Sequence, residues 1–368
     1  MIRVLNVISD SNIGGAGRVL LNYLRRADRE RFEILTAVPR GSLLKAPLEA
    51  LGGAVYEVDG LAERSYHPDD VKTLTRLMRE LKPDIVHAHG ALSARIAARR
   101  SGVRAVVMTK HCPAARGNAL RRAVQRAVDS RLTDAVIAVS DAVGKQLAAS
   151  GTPERLIRIV YNGIDLVEPY AGEEREALRR RLGMDAEHLW IGVAARLERV
   201  KGVDLFLDAA QRLAGRDELR FMIFGAGSEE AALRSQASPL GGAVRFGGFV
   251  DGVEQALALL DVTVVPSRAE AFCLSAAESL SVGTPVAAFD VDGVGEVVRD
   301  GETGLLAPAE DPAALADAIA RLADDAALRR RLGENGRRVV RENFTADGMA
   351  RRIETIYGQV LAEKERKR

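Results

Sequence analysis

The sequence predicts an α/β protein of two doubly wound, parallel-sheet domains, and three observations carry that prediction. Short, continuously apolar runs rich in Val, Ile and Leu alternate with amphipathic stretches of helical period, the pattern of βα units whose strands are covered on both faces. The alternation stops at a polar stretch containing Pro and Gly and then resumes. The chain has 368 residues, 47% hydrophobic and only 4% aromatic, which is enough Val, Leu, Ile and Ala for two cores.

In the first half, IRVLNVI (2–8) reads as a strand, SDSNIGGAGR as a glycine-rich loop and RVLLNYLRR as a helix. FEILTAV (32–38) and AVYEV (54–58) are strands separated by a short helix, and DDVKTLTRLMRELK (69–82) has helical spacing. DIVHAH (84–89) is a buried strand ending in two histidines, and RAVVMTKH (104–111) is another ending in one. DAVIAVS (134–140) and IRIVYNGID (157–165) are the last strands of this half. The expected N-terminal domain covers 1–167, and 168–184 is the expected linker. A C-terminal domain over 185–347 follows, and a final helix (about 348–368) packs back on the first domain. Its strands are HLWIGVAAR (188–196), RFMIFGAG, AVRFGGFV, DVTVVP (261–266) and TPVAAFD (284–290); GVGEVVRDGETGLLAPA reads as loop. The two domains are expected to face each other across a cleft.

Composition excludes several function classes. There are 53 Lys and Arg against 51 Asp and Glu, a net +2, which argues against a general nucleic-acid binder. Cys112 and Cys273 lie far apart with no CxxC spacing. That pattern is neither a disulfide framework nor a zinc knuckle, and it fits a reducing compartment. No window approaches the roughly 20 apolar residues of a membrane span, and the first strand lacks the apolar region of a signal peptide. A cytoplasmic protein is expected.

The stretch Asp261–Glu278, DVTVVPSRAEAFCLSAAE, is the chemical centre. A strand leads into a polar loop holding Glu270, and a helix opening near Leu274 or Ser275 carries Glu278. Ligands of open α/β sheets bind at the C-terminal edge of the strands, and free N–H groups at a helix start favour an anion. Glu270 and Glu278 thus suit a ligand with hydroxyls on either side of a phosphate. In ARLERVKG (195–202), Arg196 and Lys201 sit in a βα loop at the same kind of edge, as a fork and a compact charge able to converge on a pyrophosphate. The bland alternative is two ordinary surface charges. IGGAGR (13–18) and GAGSEE (225–230) each stop at GxG: Gly15-x-Gly17 is followed by Leu20, not by the third glycine of a dinucleotide fingerprint. Each is either a phosphate-approaching loop or a structural turn.

Taken together, Arg196-Leu197…Lys201-Gly202, Glu270-AFCLSAA-Glu278 and Gly283-Thr284-Pro285-Val286 resemble the retaining GT-B glycosyltransferases of family 4. DGVGEVVRDGETGLL (292–306), the N-terminal GGAGR, HAHG (87–90), TKH (109–111) and YNGID (161–165) fall in the family's order, so the resemblance spans nearly the whole chain. It implies two Rossmann-like domains and transfer of a hexose-type sugar from a nucleotide-diphosphate donor, UDP- or GDP-linked, with no further cofactor and no metal. It also implies that Arg196 and Lys201 bind the donor diphosphate, that Glu278 accepts from ribose hydroxyls, and that Glu270 contacts the transferred sugar. Backbone amides from Phe272, Cys273, Leu274 and Ser275 hold phosphate or sugar. Gly14 and Gly15 let the first domain close on the donor, His111 faces the reacting sugar, and Phe249 lies where main-chain contacts to the base are usual. The chain departs from the family pattern at Ala271 and Cys273, where glycine or another small residue is usual.

Three features invite other chemistry. Asp290-Val-Asp292 has the form of a DxD metal motif, but it follows a strand among GT-B motifs, and loop capping is expected. His87, His89 and His111 end adjacent strands and can mimic a metal cluster. His111 is expected to be functional and His87 buried and satisfied, with His89 between the two. Glu270 and Glu278 resemble a glycosidase pair, an assignment set aside because Glu278 is committed to ribose. Residues 99–132 carry nine Arg or Lys and one acid, with an apolar face at Leu120, Val124, Ala127 and Val128. The stretch 116–131 is either an anionic-membrane contact for a glycan or lipid-linked acceptor at the inner face of the cell membrane, or a solvated amphipathic helix. The alternatives to a transferase are a GT-B sugar-nucleotide epimerase, hydrolase or phosphorylase, and a non-catalytic nucleotide-sugar-binding protein.

Overall fold

The computed structural model describes residues 1–61, 64–112 and 117–366. It divides into two compact units, Met1–Asp165 with Thr345–Arg368, and Leu166–Phe344. The first unit is built on seven parallel strands: β1 (Ile2–Ile8), β2 (Phe32–Pro39), β3 (Ala54–Val58), β4 (Ile85–His89), β5 (Ala105–Lys110), β6 (Ala135–Ala138) and β7 (Ile157–Ile159). Their order is β3-β2-β1-β4-β5-β6-β7. The second unit repeats the plan with six parallel strands: β8 (Leu189–Ala194), β9 (Leu219–Phe224), β10 (Val244–Gly248), β11 (Val262–Val265), β12 (Val286–Phe289) and β13 (Gly304–Ala307). Their order is β10-β9-β8-β11-β12-β13. In each sheet the strand order reverses once, between β1 and β4 and between β8 and β11. At such a switch point the connections leave in opposite directions and open a crevice at the strand ends.

Strands form where the apolar runs are, because burial on both faces selects Val, Ile, Leu and Ala. Val4, Leu5, Val7, Val86, Ala88, Val106 and Val107 are fully buried. The second core gathers Ile191, Val193, Phe206, Phe221, Val262, Phe289 and Ile319. Helix Ala346–Glu365 starts at Thr345, whose side chain accepts from the Gly348 N–H, and it belongs to the first unit. There Tyr357 is fully buried, edge-on to Tyr23 at 6.4 Å and to Phe32 at 5.8 Å.

Three segments differ from the sequence expectation. Within 168–184, expected as a linker, helix Gly172–Leu182 is part of the second unit, with Leu178 and Met184 buried beside Trp190, Met222 and Phe224. One apolar residue per few turns of a charged helix was enough to dock it. The run expected as loop, 293–309, contains the short helix Val294–Val297 and β13. β13 is only four residues long and lies behind a Gly-Glu-Thr-Gly turn, so its alternation is too short to register. Residues 326–343 form an 18-residue helix that the glycines and arginines of its sequence conceal. Added Cβ atoms at Gly333 and Gly336 would strike the Gly283 oxygen at 1.9 Å and a Leu280 methyl at 2.5 Å, so the glycines permit close helix packing.

Candidate functional site

In the second unit the switch point lies between the loop after β8 and the loop after β11, and these two loops are stitched together. The Arg268 N–H donates to the Val200 oxygen at 2.9 Å. Its guanidinium donates to the Arg199 oxygen at 2.8 Å, to both Asp204 oxygens at 2.8 and 2.7 Å, and to Glu310 at 3.0 Å. Burial alone would raise the Asp204 carboxyl, but Arg268 holds it below the usual range. Gly202 closes the seam: its φ is +66° and a Cβ there would lie 1.9 Å from the Pro266 oxygen.

This seam brings Lys201 to Glu270. Lys201 Nζ donates to Glu270 Oε1 at 2.5 Å, with the two side chains 22% and 12% exposed. Glu270 Oε1 also accepts from Ser267 Oγ at 3.0 Å. The Glu270 N–H donates to Asp292 Oδ2 at 3.2 Å, and its carbonyl accepts from the Gly293 N–H at 3.0 Å. Asp292 therefore caps the loop that presents Glu270. Among the described residues no group of His, Cys, Asp and Glu has the arrangement of a metal site.

Arg196 is exposed and has no carboxylate partner among the described residues. The turn Gly225–Gly227 shapes its loop. Cβ atoms at Gly225 and Gly227 would fall 1.8 Å from the Ala195 oxygen and 2.4 Å from the Leu197 oxygen. The Leu197 N–H donates to the Ala226 oxygen, and the Glu229 N–H to the Leu197 oxygen, both at 2.9 Å. The second GxG is thus a backbone support for Arg196.

Helix Leu274–Ser281 begins beside Glu270. Its N-cap, Cys273, is left-handed at φ +69° and makes no capping hydrogen bond, and the first turn holds no acid. The amides at the start of this helix form an electropositive end that suits an anion. Phe272 is buried, edge-on to Phe344 at 5.2 Å. Leu274 and Ser275 are half-buried, and Glu278, in the second turn, is buried. Burial, with the charge of Glu270, pushes the Cys273 thiol up to about 12. It stays protonated at neutral pH and is a packing residue, not a nucleophile. Phe249, past the end of β10, is 75% exposed.

In the first unit, Gly14 and Gly15 begin helix Gly15–Arg26. Gly14 has an ordinary φ of −87°, and a Cβ there would find only an Asp10 oxygen at 3.9 Å, so the unit by itself does not require glycine at 14. The histidines converge. Parallel pairing sets Asn6 beside His87 and His89 beside Thr109. His87 is bonded on both ring nitrogens, Nδ1 to Tyr357 Oη and Nε2 to Thr109 Oγ1, each at 2.6 Å. His89 links His111 Nε2 at 2.9 Å through Nδ1 to Asn6 Oδ1 at 3.2 Å through Nε2. The three rings stack in sequence, with centroids 4.5 and 5.2 Å apart.

Burial lowers all three imidazoles from 6.5: His87 to about 3 with help from His111, His111 to about 4 with help from Lys110, and His89 far below its usual value. The folded protein keeps them neutral while the unfolded chain takes up protons below pH 6.5. Their contribution to stability is therefore complete above pH 6.5 and is lost as pH falls, at about 1.4 kcal/mol per pH unit for each histidine. Urea unfolding followed from pH 7 to 5 should show a shallower pH slope in His87→Gln than in the wild type. An identical slope would contradict neutral burial.

The structure brings Lys201 together with Glu270, and His111 together with His89. The sequence reading missed Arg268, Asp204 and Asn6. Arg268 sits two residues before Glu270, a signal of sorts, but Asp204 and Asn6 reach their partners only through the sheet.

Comparison with known proteins adds the following. Residues 13–168 match the family described as Glycosyltransferase Family 4, and residues 174–339 that described as Glycosyl transferases group 1. A D-inositol 3-phosphate glycosyltransferase of Acidothermus cellulolyticus is 33% identical over 310 residues, 76% of this chain and 68% of that protein. The N-acetyl-alpha-D-glucosaminyl L-malate synthase of Bacillus anthracis is 29% identical over 234 residues, 63% of this chain and 61% of that protein. The crystal structure of Anabaena HepE in complex with UDP and glucose superposes with a TM-score of 0.85 at 22% identity, covering 97% of this chain and 100% of that one.

Proposed function

The chain belongs to glycosyltransferase family 4 and has the GT-B fold, and from that premise we propose that it moves a hexose-type sugar, with retention, from a nucleotide diphosphate to an acceptor hydroxyl. The observation that carries this reading is the Lys201–Glu270 pair, held at a switch point beside an open helix start, with Arg196 in the same loop and without a carboxylate partner among the described residues. Lys201 spends one of its three N–H groups on Glu270, which leaves two for phosphate oxygens. Arg196 adds a planar fork. Negative charge grows on the diphosphate as the bond to the anomeric carbon breaks, and these cations and the helix amides offset it. Glu278 accepts from the ribose hydroxyls and Glu270 from the sugar's. Amides at Phe272, Cys273, Leu274 and Ser275 hold phosphate or sugar, main chain near Phe249 meets the base, Gly14 and Gly15 approach the donor, and His111 faces the sugar.

In this reading the acceptor oxygen attacks from the face that the diphosphate leaves. The acceptor's proton passes to a departing phosphate oxygen as the new C–O bond forms and the old one breaks. The protein positions, stabilises charge and excludes water; it needs no nucleophile and no metal. The first test is a panel of UDP-, GDP- and ADP-sugars, scored by thermal shift and slow hydrolysis. One nucleotide class should stabilise the protein, by about 2.7 kcal/mol at a hundredfold excess over Kd. A panel with no stabilising member would overturn the assignment.

A membrane-linked acceptor, met in the cytoplasm at the inner membrane face, has separate support. Among the described residues no helix is long and apolar enough to cross a membrane. Helix Ala119–Leu132, however, leaves Leu120 73% and Val124 55% exposed among exposed Arg121, Arg122 and Arg126. Its inner end is anchored by Asp129, fully buried, which accepts from Arg95 and Thr152 at 2.7 Å and from Gln125 at 2.9 Å. Arg116, also assigned to this patch, lies outside the described residues. Co-sedimentation with phosphatidylglycerol vesicles is expected at low salt, falling at high salt and in Leu120→Ser. Absence of binding at low salt would refute the membrane contact.

A further inference from the structure

We propose that Asn6 and His89 are positioning residues that fix the tautomer of His111, so that its hydrogen sits on Nε2 and its lone pair on Nδ1. This rests on the reading of His111 as a residue that faces the substrate.

One hydrogen-bonded line fixes where each imidazole hydrogen sits. Asn6 Oδ1 stands 3.2 Å from His89 Nε2, while Asn6 Nδ2 is buried with no partner among the described residues; in this orientation the amide oxygen only accepts, so His89 Nε2 carries the hydrogen. A neutral His89 then has a bare Nδ1. That nitrogen lies 2.9 Å from His111 Nε2, so His111 must donate from Nε2. A neutral His111 with its hydrogen on Nε2 has its lone pair on Nδ1. That atom is shielded and has no hydrogen-bond partner among the described residues, although His111 as a residue is half-buried. Each step follows from the one before, and the first is set by a side chain 83 positions away on β1.

The surroundings keep the line rigid. His89 is sandwiched between the parallel rings of His87 and His111, tilted from them by 24° and 18°. His87 is itself held at both nitrogens by Tyr357 and Thr109. Ring rotation of His89 would break two hydrogen bonds and two stacking contacts together. The line is also reversible in principle: rotating the Asn6 amide by half a turn would present Nδ2–H to His89, shift both imidazole hydrogens and turn His111 Nδ1 into a donor. The orientation of one amide at β1 thus decides whether His111 Nδ1 accepts or donates.

The test is the nitrogen spectrum of the free protein. Uniformly ¹⁵N-labelled full-length protein at pH 7.5 is recorded with long-range ¹H–¹⁵N correlation. The five histidines are assigned by His→Gln variants taken one at a time. The expected result is an unprotonated Nδ1 and a protonated Nε2 in both His89 and His111. A protonated Nδ1 in His111 would overturn the proposal, whatever the activity. Asn6→Leu should mix the two tautomers of His111 and, with the donor identified by the panel, lower kcat roughly tenfold or more with KM for the nucleotide sugar unchanged. If Asn6→Leu does not fold, the wild-type spectrum decides alone. If no transferase activity exists, the tautomers still stand or fall on that spectrum.

Discussion

Lys201→Ala is expected to lower kcat by about 10²–10³-fold while leaving the circular dichroism spectrum unchanged. The size follows from the position of the charge. The ammonium is 22% exposed and touches Glu270 at 2.5 Å, in a loop beside a helix start, so it acts in a partly desolvated setting. There a preorganised cation contributes far more to a developing dianion than it would in water, about 2.7–4 kcal/mol for a single donor removed. The loop itself should survive. Glu270 keeps Ser267 Oγ, and its backbone keeps Asp292 and Gly293. Lys201→Arg should recover only part of the loss, because a planar fork does not reproduce a compact charge with three donors. Glu270→Gln should lower kcat with little change in nucleotide affinity, since its proposed contact is with the sugar. Steady-state kinetics with the nucleotide sugar selected by the panel measures all three. Full activity in Lys201→Ala would remove the basis of the proposed mechanism.

Gly202→Val is expected to cost about 2–5 kcal/mol of stability and to abolish most activity. Two penalties add at this position. A β-branched residue at φ +66° pays for a left-handed conformation, about 1–2 kcal/mol. Its Cβ would also meet the Pro266 oxygen at 1.9 Å, a backbone atom that cannot swing aside. Relief requires the loop after β11 to lift from the loop after β8, which separates Glu270 from Lys201 and strains the Arg268 contacts. Gly215→Ala is the control: nothing lies within 4 Å of an added Cβ there and φ is ordinary, so its effect should be small. Urea denaturation of the two variants compares them directly. Equal midpoints would mean that the seam between the loops does not depend on Gly202.

Much of this was legible in the sequence because it is local. The buried strands announce themselves as continuous apolar runs, and the R-L-x-x-x-K-G and E-x7-E patterns place their residues on loops at strand ends. The fold follows from those patterns and a parallel sheet, whereas the direct contact of Lys201 with Glu270 is not written in them. What escaped is set by contacts between distant positions. Arg268 and Asp204 are 64 residues apart and meet only because β8 and β11 are neighbours. Asn6 reaches His89 because β1 pairs with β4. The GxG at 225–227 was ambiguous between ligand and turn, and only the Ala195 and Leu197 oxygens beneath it decide for the turn. Helix Gly172–Leu182 reads as a charged helix, but its docking on the second unit was hidden, since a single buried Leu178 carries little periodicity.

The most direct measurement is transfer itself, watched by proton NMR with the wild-type protein, the nucleotide sugar chosen by the panel and a simple acceptor alcohol. The expected result is one nucleoside diphosphate released per glycoside formed, with an anomeric coupling that gives the product the donor's configuration. A product of inverted configuration, or release of a sugar phosphate in place of a glycoside, would contradict it.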